Sequence, residues 1–189
     1  MTPRAPRADA LRNRTKILAA ASDAFARDGA EVPLDTIAEL AGVGAGTVHR
    51  HFPTKESLID AVVAVRLDTL ADRADDVRAQ PAADFFGFLV ELAEAARSNV
   101  VLASVLGGTL SAEGNQAATR LTQSLAQLLT NAQRSGQARP DLTVSDLHAA
   151  IAGAITIEQR LPNNRHGLGV EIVLAGLRPP TQPPAAPVN

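Results

Sequence analysis

Apolar residues recur at helical spacing along almost the whole chain, and this period leaves little room for anything but an all-α fold. Leu11, Leu18 and Phe25 stand seven apart, with Ile17, Ala21 and Ala24 filling the same side, so residues 9 to 28 are expected to form an amphipathic helix ended by Gly29. β-branched residues never alternate with polar ones over a useful length, and no Asn-Gly or Asp-Gly hairpin turn occurs. Short helices are expected at about 34 to 41 and 45 to 51, with Gly42 at the turn between them and Pro53 closing the second. A long fourth helix should start behind Thr54 as N-cap, carry Leu58, Ile59, Val62, Val65, Leu67 and Leu70, and fade near Gln80-Pro81. Further helices are expected at about 83 to 97, 99 to 107, 112 to 135, 143 to 160 and 165 to 177. Pro179 to Asn189 hold five prolines in eleven residues and are read as a disordered tail.

Composition narrows the function. The chain has 189 residues, 46% of them hydrophobic, enough for a core, and it has no cysteine, which excludes disulfides, thiolate metal sites and cysteine nucleophiles. No run of eighteen apolar residues is free of charge, and Met1-Thr2-Pro3-Arg4 lacks the apolar stretch of a secretion signal. A cytoplasmic protein without a membrane segment is expected. The net charge of -2 hides an asymmetry. Arg4, Arg7, Arg12, Arg14 and Lys16 face only Asp9 in the first sixteen residues, so positive charge gathers where a polyanion can be met.

Residues 34 to 52 read as two short helices joined by a tight turn. Small Ala38 lets them approach, Gly42 permits the reversal, and Val43 and Val48 seal the contact. Seven residues cannot hold a helix alone, so the second must be propped against Ile37, Leu40 and the first helix of the chain. Its free face would carry Ala45, Gly46, Thr47, His49 and Arg50. Small residues there allow close approach to DNA, and a hydroxyl, an imidazole and a guanidinium can reach bases or phosphates.

The run from Ile37 to Lys55, IAELAGVGAGTVHRHFPTK, together with Phe25 and Gly29 before it and Leu58 after it, resembles the TetR (tetracycline repressor-like) family of bacterial transcriptional regulators. Gly136-Gln137-Ala138-Arg139-Pro140-Asp141 looks like a stretch of one branch of the family's regulatory domains, which extends the resemblance over residues 9 to 178. The resemblance implies a three-helix helix-turn-helix DNA-binding domain with a basic arm at 1–54, a helical ligand-binding and dimerisation bundle at 55–178, and the tail at 179–189. It implies that the helix from Ala45 to His51 enters the major groove of a double-stranded operator and that Lys55 holds a phosphate, with Thr36 in the first turn of the preceding helix added to the DNA-facing set. His49 departs from the family's usual Tyr, and Pro33 stands where Thr or Ser often caps the second helix.

Three of the five phenylalanines lie between Asp84 and Leu110. By resemblance this region holds an effector pocket, and an unknown small apolar ligand is expected against Phe88, Leu92, Leu102, Leu106 and Leu125. The last two helices, with Gly153, Ala154 and Gly169 at close-packing positions, are implied to pair with a second subunit in a homodimer. Two other readings compete. A helical enzyme would have to use His49, His148 or His166, yet no nucleophile elbow, phosphate-binding glycine loop or His-Glu-x-x-His pair is present. His49 and His51, two residues apart, point in different directions and share no metal. An interaction module without DNA binding would leave the basic arm and Lys55 without a role. The expectation is therefore a ligand-responsive repressor, with no catalytic residue, metal or cofactor.

Overall fold

The computed structural model describes residues 6–80, 84–98, 110–158, 160–162, 165 and 167–180. The expected helix at 99 to 107, with Leu102 and Leu106, lies outside them, as do His166 and the tail beyond 180. Eight helices and no strand occur among the described residues: α1 (Pro6–Asp28), α2 (Leu34–Ala41), α3 (Ala45–His51), α4 (Lys55–Ala79), α5 (Phe85–Ser98), α6 (Ala112–Arg134), α7 (Val144–Glu158) and α8 (Leu168–Gly176). None of them is long and apolar enough to cross a membrane.

Local chemistry sets several of the starts. Thr54 and Ser57 form a reciprocal cap at α4: the Ser57 amide donates to Thr54 Oγ1 at 3.1 Å and the Thr54 amide to Ser57 Oγ at 3.2 Å. Thr143 and Asp146 repeat the arrangement at α7, with the Thr143 amide donating to Asp146 Oδ2 at 2.8 Å and the Asp146 amide to Thr143 Oγ1 at 3.2 Å. Asp84 accepts from the Gly87 amide at 2.8 Å, and Ser111 Oγ from the Gly114 amide at 3.1 Å, which starts α5 and α6. At α2 the position of Pro33 carries no side-chain cap, as its sequence implies.

Two compact units are present. One comprises residues 1–72 and 94–121, the other residues 73–93 and 122–189. In the first, α1 packs on α2 and α3, and α2 on α3, around Ile17, Ala21, Phe25, Ile37, Val48 and Leu58, none of them measurably exposed. In the second, α7 packs on α8. The closeness of that pair is visible at Gly169, where a Cβ would come within 2.7 Å of Ile157 Cγ2.

Three apolar expectations fail. Leu11 is 67% exposed, because α1 begins three residues earlier than its apolar pattern and its first turns stand outside the packed region that starts at Ile17. Leu40 is 51% exposed: the inward stripe of α2 is Leu34, Ile37, Ala38 and Ala41, spaced as one helix face, and Leu40 falls beside it. Leu40 therefore lies outside the buried stripe. Val65 is exposed as well, between buried Ala64 and Leu67 on α4. The last helix also starts at Leu168 rather than about 165, since Gly167 in front of it takes the left-handed φ of 88°.

Acid should weaken the fold in a definite window. Hydrogen bonds from Arg27, Arg73, Arg139 and Thr143 hold Asp28, Glu91, Asp141 and Asp146 below the ordinary carboxylate values of 3.8 to 4.5. A carboxyl depressed on folding adds stability that is complete above its unfolded value and is lost as the pH falls through the folded one. Melting temperatures are thus expected to be level with respect to these four groups above about pH 5 and to fall below about pH 4. Because all four are exposed, molar salt should shrink the drop.

Candidate nucleic-acid interface

The turn between α2 and α3 is built by one backbone position. Gly42 has φ 64° and ψ 37°, its amide bonds the Glu39 carbonyl at 3.1 Å, and the Val43 amide bonds that of Ala38 at 3.0 Å. This left-handed closure ends α2 and redirects the chain within two residues. A Cβ at Gly42 would meet nothing within 4 Å, so Gly42→Ala tests the backbone alone. Loss of about 1–2 kcal/mol in urea denaturation is expected.

α3 is held from below by Val48, fully buried, and from its end by Phe52, whose amide bonds the Val48 carbonyl at 2.8 Å. Arg14 of α1 lies 5.3 Å from the centre of the Phe52 ring, and its Nη2 is 3.1 Å from both carboxylate oxygens of Glu113 on α6. A cation over an aromatic face and a charge-assisted bond thus brace the exit of α3. His51 is half-buried, its ring 6.2 Å from that of Phe52.

With Val48 turned in, Ala45, Gly46, His49 and Arg50 are exposed and Thr47 is half-exposed, all on a helix anchored at both ends. Arg50 Nε donates to the Gly46 carbonyl at 2.9 Å. Thr36 is exposed in the first turn of α2. Lys55, the first residue of α4, is half-buried with its Nζ 3.7 Å from Glu31. The expected DNA-facing side chains thus belong to one compact unit and stay open to solvent in whole or part. Sequence reading missed Glu31 as the neighbour of Lys55, and Arg14 and Glu113 as braces; neither long-range pairing leaves a local signal.

Of the expected ligand-lining residues, Phe88, Leu92 and Leu125 are buried in the second unit. Gly136 to Asp141, singled out by resemblance, form a fixed loop. Gln133 Nε2 donates to the carbonyls of Arg139 and Leu142 at 3.0 and 2.9 Å, and the Arg139 amide to that of Leu177 at 3.1 Å. An open cleft lies beside it, bordered by Arg139, Asp141, Gly176 and Arg178. No three His, Asp or Glu side chains among the described residues converge as they would to hold a metal.

Two family models match the chain. That of bacterial regulatory proteins of the tetR family covers residues 17–62, the segment built around α2 and α3, and that of the SbtR-like transcriptional regulator C-terminal domain covers residues 80–179. The chain belongs to the TetR family. A TetR transcription regulatory protein from Mycobacterium vanbaalenii is 36% identical, with a TM-score of 0.68 over 91% of this chain and 98% of that one. A TetR transcriptional regulator from Streptomyces coelicolor is 31% identical, with a TM-score of 0.67 over 89% and 99%. RolR, solved with its ligand resorcinol, is 19% identical and shares the fold at a TM-score of 0.62 over 90% of each chain. This TetR-family protein is accordingly a helix-turn-helix regulator of transcription.

Proposed function

We propose that this regulator is a dimeric repressor that occupies a palindromic operator and leaves it when a small apolar effector binds. The observation that carries the reading is the solvent-facing side of α3, where Ala45, Gly46, His49 and Arg50 sit on a helix whose opposite side, at Val48, is fully buried. A rigid helix with small and cationic groups outward suits insertion into the major groove. Lys55, at the N-terminus of α4, adds its charge to that of the free amides and suits a backbone phosphate, exchanging Glu31 for it; Thr36 and Thr47 supply hydroxyls at the margin.

In this reading residues 1–54 bind DNA, residues 55–178 bind effector and partner, and residues 179–189 are an appendage. The second subunit docks on α7 and α8, which leave Ile157 and Ile172 exposed at 39% and 58%. A two-fold dimer then presents two α3 helices to half-sites about 34–36 Å apart. The effector, held among apolar side chains such as Phe88, Leu92 and Leu125, favours a state in which the α3 helices are wrongly spaced, and it shifts the population only by its differential affinity. RolR with resorcinol supports a small-molecule role for this fold. The protein acts in the cytoplasm as a regulator and not as an enzyme.

Selection of bound duplexes from a random pool tests the reading. A palindromic motif bound with steep salt dependence is expected, since each phosphate contact releases counterions. Binding without sequence preference would refute it.

A further inference from the structure

We propose that Arg50 fixes base identity in the operator by reading a guanine through the two terminal nitrogens of its guanidinium. The inference rests on the reading of α3 as the helix that meets the duplex, and it adds which side chain discriminates and what it discriminates. Arg50 is the sixth of seven residues in α3, so its backbone lies near the far end of the helix. Its side chain runs back: Nε donates to the Gly46 carbonyl, one turn earlier, at 2.9 Å. The guanidinium is therefore held over the first turn of α3, the part of a recognition helix whose side chains contact base edges. Nothing lies within 4 Å of where a Cβ of Gly46 would stand, so the fork has open space beside it.

The bond to Gly46 engages Nε and leaves Nη1 and Nη2 as a pair of donors for another acceptor. Guanine offers two adjacent acceptors, O6 and N7, in the major groove. Adenine places a donor beside N7, and neither pyrimidine has N7. Charge favours the same use. Arg12, Arg14, Arg27 and Lys55 each pair with a carboxylate, whereas Arg50 is held by a neutral carbonyl and keeps its full charge for the ligand. An anchored fork also loses less rotamer freedom on binding than a free one.

The competing use of the same fork is a phosphate, which carries no base information. The full-length protein separates the two. On the duplex selected from the random pool, each guanine is replaced in turn by 7-deazaguanine, which lacks the N7 acceptor, and binding is followed for the native chain, Arg50→Ala and Arg50→Lys. Native protein is expected to lose about 5- to 150-fold in affinity at one guanine of each half-site. Arg50→Ala should lose affinity for the unmodified duplex, show no further loss at that guanine, and select pools with no preference there, whereas Arg50→Lys, whose ammonium also donates to O6 and N7 but lacks the planar fork, should lose less and keep part of the deazaguanine effect; melting curves check that the exposed substitutions leave the fold intact. Equal loss by Arg50→Ala on every duplex, with the salt slope reduced by about one and the deazaguanine effect unchanged, would make Arg50 a phosphate contact and overturn the assignment. A native pool without any motif would instead strike the underlying reading and take this assignment with it.

Discussion

Replacing Phe25 with alanine should cost about 3–5 kcal/mol of folding stability. The ring is fully buried on the side of α1 that also carries Ile17, Ala21 and Ala24, in the unit where α1 packs on α2 and α3. Removing it takes away apolar area and leaves a cavity that three short-range helix contacts cannot collapse around. Since domains of this size are held by about 5–15 kcal/mol, a loss of that order threatens the helix-turn-helix itself, and DNA affinity should fall with it. Leu11→Ala is the matched control. Although Leu11 lies two seven-residue steps before Phe25 on the same apolar pattern, Leu11 is 67% exposed and its truncation should stay within about 0.5 kcal/mol. Urea denaturation of both variants checks the contrast; similar losses would mean that the start of α1 is packed after all.

Glu158→Ala should be the second large effect, about 1.5–3 kcal/mol. Glu158 ends α7 and is 3% exposed. Its Oε2 accepts from the Gly167 amide at 2.8 Å, and its Oε1 from the amides of Gly169 at 2.7 Å and Val170 at 3.3 Å. These amides open α8, where no side chain at Gly167 can cap them, so a carboxylate from the preceding helix does the work of an N-cap and opposes the positive end of the helix. Gly169 is part of the same fit, because a Cβ there would stand 2.9 Å from Glu158 Oε1. Without the carboxylate α8 should shift on α7, disturbing the surface that carries Ile157 and Ile172. Glu158→Gln, which keeps one carbonyl oxygen, should lose less. Denaturation together with sedimentation of the proposed dimer measures both consequences; an alanine variant as stable as the native chain would show that the amides find other partners.

Glu158 also marks where sequence reading stops. Helix existence was legible because apolar spacing, Thr54 as an N-cap and Gly42 at the turn act over a few residues; the caps from Asp84 and Thr143 are just as local and were not read. The helix-turn-helix was legible for the same reason: Ala38, Gly42 and Val48 each do a local job. What lay beyond reach was long-range. A buried glutamate capping another helix, Arg14 between Phe52 and Glu113, and the exposure of Leu40 depend on which helix faces which, and periodicity alone cannot distinguish an inward stripe from its edge. The proposed ligand-facing residues were least legible, since Phe88, Leu92 and Leu125 are buried and an apolar side chain looks alike whether it fills core or lines a pocket.

In the proposed function, operator recognition depends on α3 entering the major groove. Dimethyl sulfate methylates guanine at N7, on the floor of that groove, so protection of a bound duplex reports the insertion directly. Two short tracts of N7 protection are expected, symmetric about the operator centre and separated by about one helical turn or a multiple of it. Guanines left fully reactive across a saturated site would contradict it.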